Sequence, residues 1–187
     1  MSCLLLVALL ASSFPPPVVN AQSPQVTVSI KAPALVLLDS EFTATVGITQ
    51  VENLDASSYD VSFDASVISI VGVTSGEING VQVPVDIWST HEGEPGRITI
   101  VQNLPGLAGV TGAGYLAKIR FKVVGAPGRS TSITPSNGVL GNNQAVAIPA
   151  NWVGAAVQVT PHQVATVSIN AADQVFVGSS FVATVEV

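Results

Sequence analysis

The sequence predicts an all-β protein, and three observations support that class. Only 5% of the 187 residues are aromatic and 10% are charged, whereas 48% are hydrophobic, a composition dominated by the small and β-branched residues of strands. Apolar and polar residues alternate along many short segments. Glycine, proline and asparagine separate these segments, and no segment has a helical period with caps. We therefore expect a β-sandwich of about nine short strands.

The first half of the chain contains four of these strands. Alternation predicts strands at Val26–Ile30, Phe42–Ile48 and Tyr59–Phe63, each with one apolar face. Asp64-Ala65-Ser66 then predicts a tight turn, because a short polar side chain can bond the backbone two residues on. The nearly uninterrupted apolar run Val67–Val73 predicts a strand buried in the core.

The second half continues the pattern. Asn79-Gly80 is a strong hairpin signal, and the glycine-rich segment Asn103–Gly114 predicts a long loop. The clearest alternation lies in Tyr115–Val124, where three basic residues face outwards. Ser132–Leu140 and Val153–Thr160 predict the closing strands.

Residues 1–21 predict a secretory signal peptide. Leu4–Ala11 is apolar but too short to span a bilayer, and Val19-Asn20-Ala21 offers small residues for cleavage. The segment departs from the usual pattern because no Lys or Arg precedes the apolar run. We expect an extracellular or cell-surface protein. Cys3, the single cysteine, falls inside this segment, so the mature chain would have no disulfide and no reactive thiol.

The end of the chain repeats its beginning. Val164–Val187 matches Gln25–Ile48 without a gap, so that Thr166–Ile169 repeats Thr27–Ile30. We interpret residues 25–160 as one module and residues 161–187 as a linker followed by the first two strands of a second, truncated module. Two strands cannot bury a core alone, so we expect a tandem array.

The sequence offers little for catalysis or metal binding. The net charge of −6 argues against nucleic acid as a partner. His91 and His162 have no ligand-type spacing to other His, Cys or acidic residues. Glu92 and Glu94 lie two apart in a polar segment without an apolar pocket to raise the pKa of either carboxyl group. We predict no catalytic residue, no metal site and no cofactor.

Three ordered blocks carry a family resemblance. Val61–Gly76 has the form apolar-x-Phe-Asp-x-x-Val-Ile-x-Ile-x-x-Val-x-x-Gly, Gly114–Val123 contains Leu-Ala-x-Ile-x-Phe-x-Val, and Gly154–Val159 ends in Val-x-Val. Across residues 25–160 this set resembles the cohesin modules of cellulosome-type scaffolds. The resemblance implies a jelly-roll sandwich, a non-catalytic role and binding of a dockerin module borne by another protein, in the service of polysaccharide degradation. The calcium around which dockerins fold belongs to that partner.

The resemblance also implies a contact surface. It would use residues on two outward-facing strands and at the head of the long loop: Ala56, Ser58, Asp60, Gln102, Asn103, Leu104, Lys118 and Arg120. Cohesins of the best-known type carry Asn and Asp at the positions of Ala56 and Ser58, where this chain has small residues. Asp60 could also form an ordinary cross-strand pair with a Lys or Arg.

Two other functions remain open. A carbohydrate-binding module of the same sandwich class would use exposed, coplanar aromatic residues, here Trp88, Tyr115 and Trp152. A purely structural repeat of a surface protein would bind neither dockerin nor sugar.

Overall fold

The computed structural model describes residues 25–161, 168–170, 177–178, 180, 182 and 184–186. The predicted signal peptide lies outside these residues, and so do residues 162–167, which include the end of the predicted linker. Within the described part every regular element is a strand, which confirms the all-β class. No helix there is long and apolar enough to cross a membrane.

Residues 25–161 form twelve strands in a curled, two-layer sandwich. The strands are β1 Val26–Lys31, β2 Leu35–Leu37, β3 Glu41–Ser62, β4 Ile68–Ile78, β5 Val81–Val83, β6 Ile87–His91, β7 Glu94–Asn103, β8 Val110–Val123, β9 Ser130–Asn142, β10 Ala147–Ile148, β11 Ala150–Val153 and β12 Ala155–Thr160. Two further strands, β13 Ser168–Asn170 and β14 Thr184–Glu186, pair with each other.

The 22-residue strand β3 belongs to both layers. Its first half pairs with β1 and β8, and its second half pairs with β7 and β9. Register shifts between Val46 and Leu54, with Asn53 at a φ of 51°, bend the strand between the two sheets. The two strands predicted at Phe42–Ile48 and Tyr59–Phe63 are therefore the two ends of one strand. The polar segment around Glu52 and Asn53 hid this continuity.

The inner faces of the two layers meet in one core. Phe63, the residue that follows β3, contacts Phe121 of β8 edge to face, with ring centroids 5.1 Å apart, and Tyr59 of β3 contacts Trp152 of β11 at 5.4 Å. The fully buried side chains around them are mostly Ile, Leu and Val. Burial of this apolar surface is the main force holding the sandwich closed.

Two local predictions are confirmed and two are wrong. Asp64 accepts hydrogen bonds from the Ser66 amide and hydroxyl at 2.8 and 2.6 Å, and Asn79 and Gly80 form the β4–β5 turn with φ angles of 49° and 80°. In contrast, β4 is not buried throughout: Val71 is 36% exposed, and beyond its pairing with β8 the strand has a neighbour, β5, only at Gly76–Ile78. The predicted loop from Asn103 is also shorter, since β8 already begins at Val110.

Candidate functional site

The second half of β3 lies at the centre of a flat outer surface. We call this surface, the outer side of β6, β7, the second half of β3 and β9, the docking face. Strand register aligns side chains across it in rows. The middle row is aliphatic and small, and it consists of Ile87, Val101, Ser58 and Val139.

This aliphatic row is accessible at both ends. Ile87 and Val139 are 62% and 56% exposed, and Val101 and Ser58 between them are half-buried. Three interstrand spacings separate the ends of the row, or about 14 Å. On one side of the row lies a second one with Asn103, Ala56 and Gly141. The centre of the surface is therefore lined by aliphatic and small side chains without charge.

Asp60 anchors the opposite side of the docking face. Its side chain is buried, and Arg97 Nη2 and Asn137 Nδ2 each donate to Oδ2 at 2.7 Å. The Thr99 hydroxyl donates to Oδ1. Asn137 reaches this position because it sits in a bulge of β9 with a φ of 51°.

These donors fix the ionisation of Asp60. Burial alone raises the pKa of the carboxyl group, but the hydrogen bonds from Thr99, Asn137 and Arg97 outweigh burial and lower the pKa to about 2. The Thr99 hydroxyl gives its single proton to Asp60, so its contact with His91 Nε2 at 2.8 Å uses an imidazole N–H as donor. A carboxylate whose oxygens already accept three hydrogen bonds, and whose pKa is so low, cannot act as a general acid or base near neutral pH.

Gln102 and Leu104, which the sequence assigned to the contact surface, are part of the core. Gln102 is fully buried; it accepts from Ser57 at 3.0 Å and donates to the Leu116 carbonyl at 2.8 Å. Leu104 is 8% exposed. The alternation of β7 turns its even-numbered residues inwards at this point, so neither side chain can touch a partner. The hydroxyl of Tyr59 also points to Gln102, and burial raises the pKa of that tyrosine.

Lys118 and Arg120 lie in the other layer. Their strand, β8, pairs with β4 and with β3 from Glu41 to Leu54, so it does not extend along β3 to Ser58 and Asp60. The expectation that they share a surface with Ser58 and Asp60 is therefore wrong. The family resemblance had implied one sheet for the strand of Ser58 and the strand of Lys118, but β7 and β9 are the neighbours of β3 at Ser58. Asp60 pairs instead with Arg97, a residue that the sequence pattern did not single out.

The three aromatic candidates for a sugar platform are on strands that do not pair with one another. Trp152 packs against Tyr59, and Tyr115 lies under the Lys118 ammonium group at 4.7 Å. Trp88 is 38% exposed on β6. Among the described residues, no group of three potential ligand residues could hold a metal ion.

Comparisons with known proteins agree with this architecture. A family model described as Cohesin domain matches residues 26–159. A non-cellulosomal cohesin from Archaeoglobus fulgidus superposes with a TM-score of 0.60 at 14% identity, covering 73% of this chain and 91% of that one. A cohesin module of a Clostridium perfringens family 33 glycoside hydrolase gives 0.62 at 16% identity, with coverages of 74% and 98%.

A third similar structure comes from a type I cohesin–dockerin complex of Clostridium thermocellum. It has a TM-score of 0.60, 12% identity and coverages of 72% and 99%. No curated protein matches the chain. These neighbours identify the sandwich as the jelly roll of cohesins. Because the family model covers most of the chain, from the first strand of the sandwich to the last, the protein belongs to the cohesin family.

Proposed function

We propose that this protein is a non-catalytic module that binds a dockerin borne by another protein through the docking face. The observation that carries the proposal is the aliphatic row, which leaves Ile87 and Val139 exposed on a rigid, nearly uncharged sheet. An amphipathic helix has an apolar stripe that such a row can cover. Cohesin neighbours have been solved in complex with dockerins, which supports the same class of partner here.

The residues proposed for contact follow from the geometry. Ser58 and Val101 form the centre, Ile87 and Val139 the ends, and Ala56 with Asn103 one border. Asn103 Nδ2 donates to Asp86 Oδ2 at 2.6 Å, which orients its amide at the edge of the face. Asp60 holds Arg97 and Asn137 in place beneath the other border and makes no direct contact.

Titration calorimetry against a panel of dockerins tests the proposal. We expect one or more dockerins to bind the wild type and to lose at least about 2 kcal/mol of binding free energy with Ser58→Arg, since the new side chain fills the centre of the face. Thr43→Arg is the matched control, because it places the same residue on the same strand in the other layer. Equal effects of both variants, or no binding by the wild type, would contradict the proposal.

Calcium dependence gives a second check. A chelator should abolish the complex because dockerins of the family fold around calcium, while the melting temperature of this protein alone stays the same. A fall in that melting temperature on chelation would show that the protein itself holds a metal.

We also propose that residues 164–187 begin a second module of the same kind. Ser168, Ile169 and Asn170 pair with Glu186, Val185 and Thr184 in the register of their counterparts 139 residues earlier, Ser29, Ile30 and Lys31 with Gly47, Val46 and Thr45. Gly178 and its counterpart Asp39 both have positive φ angles, of 86° and 58°. Removing residues 161–187 should leave the melting temperature of the first module unchanged, and a marked fall would make the segment part of that module.

Secretion and a role in polysaccharide degradation complete the proposal. Signal cleavage after Ala21 would place the module outside the cell, where an enzyme carried by the dockerin partner could act on polysaccharide. N-terminal sequencing of exported protein should begin at Gln22. An intact N-terminus on the exported protein would contradict this part.

A further inference from the structure

The positive charges of the chain are concentrated on the surface opposite the docking face. We call this surface, the outer side of β1, the first half of β3, β8 and β4, the cationic face. Four of the six Lys and Arg residues lie on it, although the chain as a whole has a net charge of −6. They are Lys31, Lys118, Arg120 and Lys122. The other two, Arg97 and Arg129, pair with Asp60 and Asp64 elsewhere.

Strand register places these cations among hydroxyl groups. One row contains Lys31, Thr45, Lys118 and Thr74, and the next contains Thr43, Arg120 and Gly72. Because alternate residues of a strand are about 6.7 Å apart, Lys118, Arg120 and Lys122 extend over about 13 Å. A shallow depression between Lys118 and Arg120 is lined by Thr43, Gly72 and Thr74. The Lys118 ammonium group, the Arg120 guanidinium group and the hydroxyls of the two threonines can together donate hydrogen bonds to an anionic group.

Only part of this charge is neutralised within the protein. Arg120 Nε lies 3.5 Å from Glu41 Oε2, and both side chains are more than half exposed. Within residues 25–161, Lys118 and Lys122 take part in no ion pair. Exposed pairs such as Arg120–Glu41 are weak, so an anionic ligand can compete with Glu41 for Arg120.

A second depression adjoins the first and shares Val73 and Thr74 with it. Trp88, Gln82 and Asp86 line this neighbouring depression, and 38% of the Trp88 surface is accessible. The Asp86 carboxylate accepts a hydrogen bond from Asn103 Nδ2 at 2.6 Å, so the acidic group of a ligand is expected beside Lys118 and Arg120 and not in this depression. An exposed indole offers a flat apolar surface for a sugar ring, and an amide can donate to or accept from its hydroxyls. The combination of cations, hydroxyls and an accessible indole is typical of recognition of a charged sugar.

We propose that the cationic face binds an acidic polysaccharide, with a carboxylate or sulfate group between Lys118 and Arg120 and a sugar ring on Trp88. The net charge of −6 disfavours a polyanion as dense as duplex nucleic acid, which has one phosphate per about 1.7 Å of helix axis, more than a polymer with one acidic group per sugar or disaccharide. Lys118 and Arg120 belong to the layer opposite the docking face. Trp88 alternates with Ile87 along β6, so its side chain lies on the other side of that strand from the aliphatic row. The anion site can therefore be lost without the loss of dockerin binding.

Affinity electrophoresis and calorimetry at low salt, with polygalacturonate and chondroitin sulfate as probes, test the proposal. We expect binding of at least one probe, weakened about tenfold or more by Lys118→Gln with Lys122→Gln. Glu41→Gln should tighten binding up to about threefold, because it releases Arg120. Trp88→Ala should also weaken binding relative to the wild type, but it should leave the salt dependence of the affinity unchanged because the indole has no charge.

The controls separate this site from general electrostatics. Ser132→Asp with Gln158→Glu changes the net charge by the same two units on exposed positions of β9 and β12 and should leave binding unchanged. The proposal is overturned if neither probe binds, if this control weakens binding as much as the lysine variant, or if Trp88→Ala binds as tightly as the wild type. Equal affinity for DNA or for anionic vesicles would also overturn it, since the face would then attract any polyanion.

Discussion

Single residues on the docking face divide into those that touch a partner and those that hold the surface in shape. Asp60 belongs to the second group, because three donors surround its carboxylate and its side chain is buried. A buried charge is tolerated only when it is paired and hydrogen-bonded. The alternation of β3 predicted correctly that Asp60 points away from the core, but no local pattern could show that β7 and β9 cover it.

Asp60→Asn should therefore destabilise the protein in a pH-dependent way. The pKa of Asp60 falls from an ordinary value of 3.8 to about 2 in the folded state, so its stabilisation is fully present above pH 4 and is lost as the pH falls towards 2. We expect the variant to lose about 2 kcal/mol of unfolding free energy at pH 7. The difference from the wild type should narrow between pH 4 and 2.

Urea unfolding over this pH range measures the effect. Asp64→Asn is the control, since Asp64 is exposed and the Ser66 hydroxyl and amide are the main causes of its lowered pKa. Asp64→Asn should lose less unfolding free energy than Asp60→Asn. A constant difference between Asp60→Asn and wild type at all pH values would contradict the account of Asp60.

At the scale of elements, strands β4 and β8 approach each other so closely that one position of β4 has room only for glycine. A Cβ added to Gly76 would overlap the carbonyl oxygens of Tyr115 and Leu116, whereas Gly72 on the same strand has no atom within 4 Å of such a Cβ. Both glycines belong to β4 and to the sequence block Val61–Gly76. Only the pairing with β8 shows which one the fold requires.

Gly76→Ala should cost about 2–3 kcal/mol of unfolding free energy, since the backbone of β8 would have to move. Gly72→Ala should be neutral or slightly stabilising, because alanine restricts the unfolded chain at no steric cost. Thermal and urea unfolding compare the two variants directly. Equal stability of both would show that the β4–β8 pairing is looser than described.

At the scale of the whole molecule, the bend in β3 explains both what the sequence predicted and what it did not. Alternation and turn residues predicted the all-β class, the β4–β5 hairpin and most strands, because these depend on neighbouring residues. The sharing of β3 between two layers depends on register shifts near Asn53 and on pairing with four other strands. Such long-range pairing leaves no local signal.

The same bend decides which candidate residues form a site. Ala56, Ser58 and Asn103 share the docking face as expected, whereas Lys118 and Arg120 are in the other layer because they pair with the first half of β3. Gln102 and Leu104 enter the core because β7 faces inwards at those positions. Ile87 and Val139 were missed: Val139 precedes the buried Leu140, but Ile87 lies between two exposed residues, Asp86 and Trp88, so no alternation of burial marks it.

The central claim is that the docking face binds a dockerin, and amide chemical shifts of the isotope-labelled protein titrated with its tightest-binding dockerin test it most directly. We predict shifts concentrated in β6, β7, β9 and the second half of β3, with the largest near Ser58 and Val139. Residues of β1 and β8 on the cationic face should not shift. Shifts confined to the cationic face, or none with any dockerin, would contradict the account.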